Sequence, residues 1–139
     1  MIEFHYESDF TLKDESKYAD WLNRVIGSED KVLKDLAFIF CDDPYLLNIN
    51  EKYLRHEDYT DVITFDYSEG KQIGGDIFIS IQRVEENAEL YKEDMDEELR
   101  RVMVHGALHL MGYGDKEEEE VLMMRGKEEE KMKLFHVEQ

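Results

Sequence analysis

Four short segments of the sequence carry the hydrophobic pattern of β-strands, and they constrain the fold more than any other feature. They are residues 2–8 (IEFHYES), 35–43 (DLAFIFCDD), 60–67 (TDVITFDY) and 74–81 (GGDIFISI). The first alternates apolar and polar residues, as a strand with one buried face does. The second is an apolar run that ends at turn-forming aspartates, which is typical of a buried strand. The last two flank the turn-like SEGKQIG and predict a hairpin.

Helical spacing of apolar residues predicts two helices in the first half of the chain. Residues 12–28 place apolar side chains on one helical face and reach Gly27, which predicts a stop there. Those side chains are Tyr18, Trp21, Leu22, Val25 and Ile26. Residues 44–54 follow the second strand, and Pro44 suits a first helical turn.

Three more helices are predicted after the hairpin. The first opens at Ser80 or Ile81 and runs to about residue 91. The second spans about residues 94–111, with Asp94 and Glu97 spaced as a capping pair and Gly112 ending it. The third lies within residues 116–135, where a partly apolar stripe predicts a face packed on the core. The stripe consists of Val121, Leu122, Met124, Met132 and Phe135.

The order of these elements predicts an α+β fold, with a small mixed four-stranded sheet packed with about five helices. The 139 residues suffice for one core, so we expect a single domain over residues 1–139. No apolar run approaches the roughly 20 residues of a membrane span, and the N-terminus lacks the layout of a secretory signal. Cys41 has no second cysteine to pair with, and its apolar setting predicts a buried, inert thiol. We therefore expect a cytoplasmic protein with no membrane partner.

The formal net charge is −18, which taken alone argues against a nucleic-acid partner. The charge is unevenly placed, however, because residues 85–98 hold eight acids and one lysine while Arg100 and Arg101 lie just beyond them, close to the histidines. We interpret the acidic stretch as a solvated helix face. A local basic surface near the arginines stays compatible with the sequence.

His105 and His109 lie four residues apart on the predicted fourth helix. Residues at this spacing share one helix face, so both imidazoles can converge on zinc or another first-row metal. Chance and hydrogen-bonded core histidines give the same spacing, so the pair alone leaves that alternative open. Gly106 stands where the H-E-x-x-H metallopeptidases have their glutamate base, which argues against a protease of that type. Because a helical glycine costs about 0.5–1 kcal/mol relative to alanine, Gly106 also predicts a close approach to the helix backbone.

Several segments, in the correct order, resemble the YbeY family of bacterial metal-dependent endoribonucleases. HGALHLMGYGD at 105–115 resembles the signature H-G-x-L-H-L-x-G-Y-D-H, TDVITFD at 60–66 resembles T-D-V-L-S-F, and GGDIFIS at 74–80 resembles G-D-I-x-I-S. IN at 49–50 is similar to the family's L-N. The resemblance implies a small α+β fold, one zinc ion held by three side chains, and cleavage of single-stranded RNA. It further implies 16S rRNA 3′-end maturation and ribosome quality control, with single-stranded rRNA and the small ribosomal subunit as partners and no DNA.

Asp115 stands where the family signature has its third histidine. Gly112 and Gly114 allow a sharp turn after the helix, so Asp115 can return towards an ion held by the histidines. Zinc accepts carboxylate oxygens at about 2.0–2.2 Å, and an anionic third ligand broadens the suitable metals to iron and manganese. The alternative is that Asp115 pairs with Glu118 as a D-x-x-E cap of the last helix.

The resemblance also associates activity with an arginine shortly before T-D-V-L-S-F, and the matching position holds Leu54. Its neighbours Arg55 and His56 could take that place or be ordinary surface residues, and we keep Arg55 as the catalytic candidate. Arg100 or Arg101 could also grip phosphate, because a guanidinium matches that geometry, or they could pair with the acids upstream.

The leading hypothesis is therefore a metal-dependent endoribonuclease with His105, His109 and Asp115 as ligands. The sequence leaves the nucleophile open between water and the RNA 2′-hydroxyl. Two other functions stay open as well. One is a metal-dependent hydrolase of another substrate, which the negative charge would tolerate more readily, and the other is a non-catalytic ribosome-associated binding factor.

Overall fold

A computed structural model of the chain describes residues 1–54 and 60–136. The strands are β1 (Ile2–Glu7), β2 (Val32–Cys41), β3 (Val62–Asp66) and β4 (Gln72–Ser80). The helices are α1 (Glu15–Ser28), α2 (Asp43–Ile49), α3 (Ile81–Tyr91), α4 (Met95–Leu110) and α5 (Glu118–Met132). A π-helical turn, Asn50–Leu54, follows α2, and a 3-10 turn, Lys133–His136, follows α5.

The four strands form one mixed sheet in the order β1-β2-β4-β3. The pairs β1–β2 and β2–β4 are parallel, and β3 runs antiparallel to β4. The predicted α+β class, the four-stranded mixed sheet and the hairpin are therefore confirmed. Ser80 ends β4 and caps α3, since its side chain accepts a hydrogen bond from the backbone N–H of Arg83.

Alternating side chains of the central strands pack into two cores. Phe38, Phe40, Ile77 and Ile79 belong to the larger one, together with side chains from α1, α4 and α5. Cys41 belongs to a smaller cluster with Leu46 of α2 and Ile63 of β3. Burial raises the pKa of the Cys41 thiol to about 12, as the nearby charge of Asp42 also does. The predicted buried, inert cysteine is therefore confirmed.

Gly106 brings α4 close to the sheet. A Cβ atom at this position would lie 2.8 Å from Cγ2 of Ile77 on β4, closer than side-chain atoms normally pack. The predicted close approach to the backbone is confirmed, and its cause is a strand side chain. The contact fixes how deeply the helix that carries His105 and His109 lies on the sheet.

One predicted helix end and one predicted capping pair are wrong. α1 continues through Gly27 to Ser28, and the chain turns at Asp30, which takes the left-handed conformation with φ of 57°. At the start of α4, Asp94 is the cap residue, but its side chain makes no capping hydrogen bond, so the Asp94–Glu97 pair does not form as predicted. The acids of the first turn, which include Glu97, instead interact favourably with the helix dipole.

The predicted apolar stripe of α5 is only partly buried. Met124 and Phe135 belong to the core, whereas Val121 is 41% exposed and Leu122 is 66% exposed. Two charged residues, Glu128 and Lys131, are buried on this helix instead. Their charges are compensated by partners on α4 and at the end of α1, an arrangement that a hydrophobic pattern does not report.

Within residues 1–54 and 60–136, no helix combines the length and apolar character that crossing a bilayer requires.

Candidate metal centre

Three side chains converge beside α4. The Nε2 atoms of His105 and His109 are 3.0 Å apart, and Oδ2 of Asp115 lies 3.4 Å and 3.3 Å from them respectively. Ligand atoms that lie about 2.0–2.1 Å from a tetrahedral ion are about 3.3 Å from one another. The triangle therefore has the size that one small cation requires, and these three residues could hold a metal ion.

A second hydrogen bond orients each imidazole. His109 Nδ1 donates to the backbone carbonyl of Tyr113 at 2.9 Å, and His105 Nδ1 lies 2.6 Å from Oε2 of Glu128. A carbonyl or carboxylate oxygen can only accept, so each Nδ1 carries a proton and the Nε2 atom of each ring is the one that faces the ligand position. Both Nε2 atoms and the Asp115 carboxylate oxygen are thus placed to donate electron pairs to one metal ion. The donor set therefore fits a cation.

The surroundings of His105 are strongly negative. Burial by itself would lower the pKa of this imidazole, but the hydrogen bond and charge of Glu128 outweigh it, and the charges of Asp115 and Asp61 add to the rise. Glu128 is itself 7% exposed, and Nη1 of Arg101 lies 3.6 Å from its Oε1. The negative charge that raises this pKa would equally attract a metal cation.

Asp115 reaches the histidines because the chain reverses directly after α4. Gly112 has a φ of 102°, a conformation that favours glycine, and the Tyr113 N–H returns to the Leu108 carbonyl at 3.0 Å. The cap of α5 is Glu117, which forms a capping box with Glu120. The alternative in which Asp115 caps this helix is therefore wrong.

Glu29, at the end of α1, connects the loop after α4 to α5. Its carboxylate accepts hydrogen bonds from the Tyr113 hydroxyl, from Lys131 Nζ at 2.7 Å and from Lys127 Nζ at 3.2 Å. Burial alone would raise the pKa of Glu29, but the three hydrogen bonds, with that from Lys131 the largest contribution, lower it to about 2. The Lys131 side chain is 3% exposed, and Glu29 shares its ammonium group with Glu130 at 2.7 Å and Ser28 at 2.8 Å.

Glu29→Gln is expected to lower the free energy of unfolding by about 3 kcal/mol at pH 7, the equivalent of the pKa shift. Because the folded-state pKa lies below the ordinary value of 4.5, the stabilisation is complete above pH 4.5 and is lost as the pH falls through about 2. Urea unfolding of the wild type and the variant across this range measures it. A stability difference that does not change between pH 7 and pH 2 would contradict the assignment.

A cavity of about 610 Å³ adjoins His105. Carboxylates dominate its lining, among them Asp61 and Glu98, and Arg101 and Arg125 supply positive charge. Burial raises the pKa of Asp61, and burial together with Glu93 raises the pKa of Glu98 to about 7. Among residues 85–98 the acids are exposed, as predicted, with the exception of Glu98.

The candidate arginines differ in their surroundings and in whether the structure describes them. Arg100 is buried, with its guanidinium 4.5 Å from the centre of the Phe135 ring, so it is not available to grip phosphate. Arg101 pairs with Glu98 at 3.8 Å, as the alternative predicted, and also lines the cavity. Arg55 and His56 lie outside the described residues. Leu54, which occupies the matching position of the family arginine, is 41% exposed.

The site also contains residues that the sequence reasoning missed. Glu128 orients His105 from 23 positions further along the chain, and Glu29 reaches Tyr113 across 84 positions. Glu128 is one of three consecutive glutamates and Glu29 precedes Asp30, and nothing in the sequence distinguishes the buried carboxylate from its solvated neighbours. Only the packing of α5 and of the end of α1 against α4 and its loop reveals them.

The sequence profile of the family described as Endoribonuclease YbeY matches residues 3–136. The chain belongs to this family. A Flavobacterium psychrophilum protein named Endoribonuclease YbeY is 55% identical over 139 residues, which are 100% of this chain and 99% of that relative. A Flavobacterium johnsoniae protein of the same name is 50% identical over 139 residues, the full length of both chains. The YbeY resemblance of the sequence motifs is thus confirmed.

The fold also has a solved counterpart. The solution structure of a Thermotoga maritima protein superposes with a TM-score of 0.67 at 23% identity, over 97% of this YbeY-family chain and 89% of the other. At this level of identity the likeness concerns the fold alone. It agrees with the mixed sheet and the helix arrangement described above.

Proposed function

We propose that this YbeY-family chain is a metal-dependent endoribonuclease that cleaves single-stranded RNA and works as one domain over residues 1–139. Family membership over residues 3–136 supports the reaction class. The observation that carries the proposal is the convergence of His105, His109 and Asp115 on one point beside a cavity. The three side chains are proposed as the metal ligands.

The side chains of the site have separable roles in this reaction. Glu128 and the Tyr113 carbonyl hold the protons of the two imidazoles on Nδ1, which keeps both Nε2 lone pairs directed inwards. Asp115 adds one negative charge, which would balance half the charge of a divalent cation. When bound, such a cation supplies a Lewis acid for a phosphoryl oxygen and acidifies nearby water. Arg55 is retained as the proposed catalytic arginine.

The lining of the cavity suggests how an RNA strand would lie. Carboxylates outnumber the two arginines there, so phosphates would be repelled from most of the cavity and held near the cation and Arg101. Carboxylate oxygens are instead good acceptors for the amino groups of bases. We therefore propose that bases of the single strand occupy the cavity while the scissile phosphate lies at the three ligands.

We further propose zinc as the metal, with iron or manganese as the alternatives that the carboxylate ligand admits. The proposed substrate is 16S rRNA at its 3′ end, with the small ribosomal subunit as partner, in the cytoplasm. The match of the sequence motifs to the YbeY family supports these finer assignments. Metal analysis of protein purified without chelator would identify the ion.

Purified, metal-loaded protein tested on single-stranded RNA, on a duplex of the same sequence and on an unrelated peptide would decide the reaction. We expect cleavage of the single strand only, and a fall of at least about 100-fold in His109→Ala, which loses a ligand. His5→Ala is the matched control, because His5 is exposed on β1 and remote from the site, and it should cleave like the wild type.

The other outcomes contradict the proposal in distinct ways. Cleavage that persists in His109→Ala would mean that the activity does not come from this site. Peptide cleavage without RNA cleavage would favour a hydrolase of another class. RNA binding without cleavage of any substrate would favour a ribosome-associated binding factor.

A further inference from the structure

A hydrogen bond from one hydroxyl group connects the loop that carries Asp115 to a distant part of the fold, beside the packing of the same tyrosine ring against the core. Tyr113 donates its phenolic O–H to Oε1 of Glu29, at the C-terminal end of α1. Oε2 of the same carboxylate accepts from Lys131 at 2.7 Å and from Lys127 at 3.2 Å. The two lysines of α5 therefore hold the Glu29 carboxylate in place independently of the loop. The Glu29 side chain is only 14% exposed.

The backbone of Tyr113 belongs to the metal site. Its carbonyl accepts the hydrogen bond of His109 Nδ1 at 2.9 Å, and Asp115 follows two residues later. A displacement of Tyr113 would therefore move the group that orients one ligand and the segment that carries another. The third ligand, His105, is oriented independently by Glu128.

Glycines on both sides give this segment conformational freedom. Gly112 takes a φ of 102°, and Gly114 precedes Asp115 directly. Glycine has more accessible backbone conformations than any other residue, so the glycines alone do not select the path that the backbone hydrogen bond from Tyr113 N–H to the Leu108 carbonyl begins. A side-chain anchor between the two glycines is the kind of contact that can select one path.

We propose that the hydrogen bond from Tyr113 to Glu29 positions His109 and Asp115 for the cation, which makes Tyr113 and Glu29 positioning residues of the metal site. The bond acts from outside the ligand set, since neither side chain is one of the three ligands. This inference rests on the proposed metal site. It goes beyond that site by assigning part of its geometry to the end of α1.

The competing explanation is that this bond only stabilises the fold. The chain offers a matched control for it, because Tyr6 on β1 also donates its hydroxyl to a carboxylate, Oε2 of Glu15 on α1, at 2.6 Å. Tyr6→Phe and Tyr113→Phe each remove one hydroxyl–carboxylate hydrogen bond, and Tyr6→Phe also removes the oxygen that accepts from the Leu12 N–H at 3.4 Å. Only the second of these bonds leads to the loop after α4.

Cobalt(II) titration of the full-length wild type, Tyr113→Phe and Tyr6→Phe tests the proposal. Affinity is measured by competition with a chromophoric chelator, and the visible spectrum of the bound cobalt reports the geometry of its ligands. We expect about 10-fold weaker binding and an altered spectrum in Tyr113→Phe, the lower end of the loss seen when a metal site loses an outer hydrogen bond. Tyr6→Phe should match the wild type in both readouts, while urea unfolding without metal shows similar losses in the two variants.

A pair of Glu29 variants tests the same inference if Tyr113→Phe folds poorly. Glu29→Gln keeps an oxygen that accepts from the Tyr113 hydroxyl and should retain cobalt affinity within about threefold, although it loses the charge that pairs with the lysines. Glu29→Ala removes the acceptor and should bind about 10-fold more weakly. Equal cobalt affinity in these two variants would count against a positioning role.

The failures of the two proposals are distinguishable. A wild type that binds no cobalt would overturn the metal site and this inference with it. A wild type that binds one cobalt while Tyr113→Phe shows the same affinity and spectrum would overturn the positioning role alone.

Discussion

Asp115→Ala is expected to lower zinc affinity by more than about 100-fold and to remove RNA cleavage. The substitution deletes one of three proposed ligands, and even the loss of a partner outside the ligand set typically costs about 10- to 100-fold. It also leaves two Nε2 atoms 3.0 Å apart with no third donor to complete the site. Zinc competition with a chromophoric chelator and cleavage of single-stranded RNA measure the two effects.

Glu117→Ala is the control for this variant. Glu117 is the true cap of α5, so its loss should cost about 1 kcal/mol of unfolding free energy and leave zinc binding intact. Asp115→Ala should show the reverse pattern, with lost zinc and little change in the stability of the metal-free protein. Wild-type zinc affinity in Asp115→Ala would show that the carboxylate is not a ligand.

Glu128→Ala is expected to weaken zinc binding by about 10- to 100-fold although Glu128 is not one of the three proposed ligands. The substitution removes the acceptor that lies 2.6 Å from His105 Nδ1, so the ring loses its fixed orientation and its preferred tautomer. It also leaves Arg101 without one of its two carboxylate partners. The same chelator competition measures the effect.

Glu129→Ala provides the comparison, because Glu129 is the next residue of α5, is exposed and also lines the cavity beside His105. It removes the same charge from the same helix and should bind zinc like the wild type. Glu128→Gln, which retains an acceptor oxygen, should fall between Glu128→Ala and the wild type. Equal zinc affinity in the alanine variants at 128 and 129 would reduce Glu128 to a structural residue.

The fold could be predicted from the sequence because its signals are local. The run DLAFIFC reads as a buried strand, and it is the centre of the larger core through Phe38 and Phe40. Gly106 predicted a close contact because a helical glycine carries a cost that something must offset. The ends of helices were harder, since spacing offered Asp115 with Glu118 as the cap of α5, whereas the structure has Glu117 with Glu120 there.

In the candidate site, too, the residues with a local sequence signal could be predicted and those that depend on distant packing could not. His105 and His109 could be predicted because a spacing of four residues places both side chains on the same face of a helix. The contacts of Glu128 and Glu29 could not, because they depend on how α5 and α1 pack around α4. Leu122 illustrates the converse, since it is apolar and yet 66% exposed, while the charged Lys131 of the same helix is buried. Ion pairs between residues that are distant in the sequence decide which charged side chains of this helix are buried. The periodicity of hydrophobic residues does not report such pairs.

The location of the ion is the most direct measurement. Crystals of the zinc-loaded wild type, with diffraction recorded on both sides of the zinc absorption edge, would give one anomalous peak per chain. We predict that the peak lies about 2.0–2.2 Å from Nε2 of His105, Nε2 of His109 and a carboxylate oxygen of Asp115. A zinc peak elsewhere, or full zinc loading with no peak among these three atoms, would contradict the assignment of the metal centre.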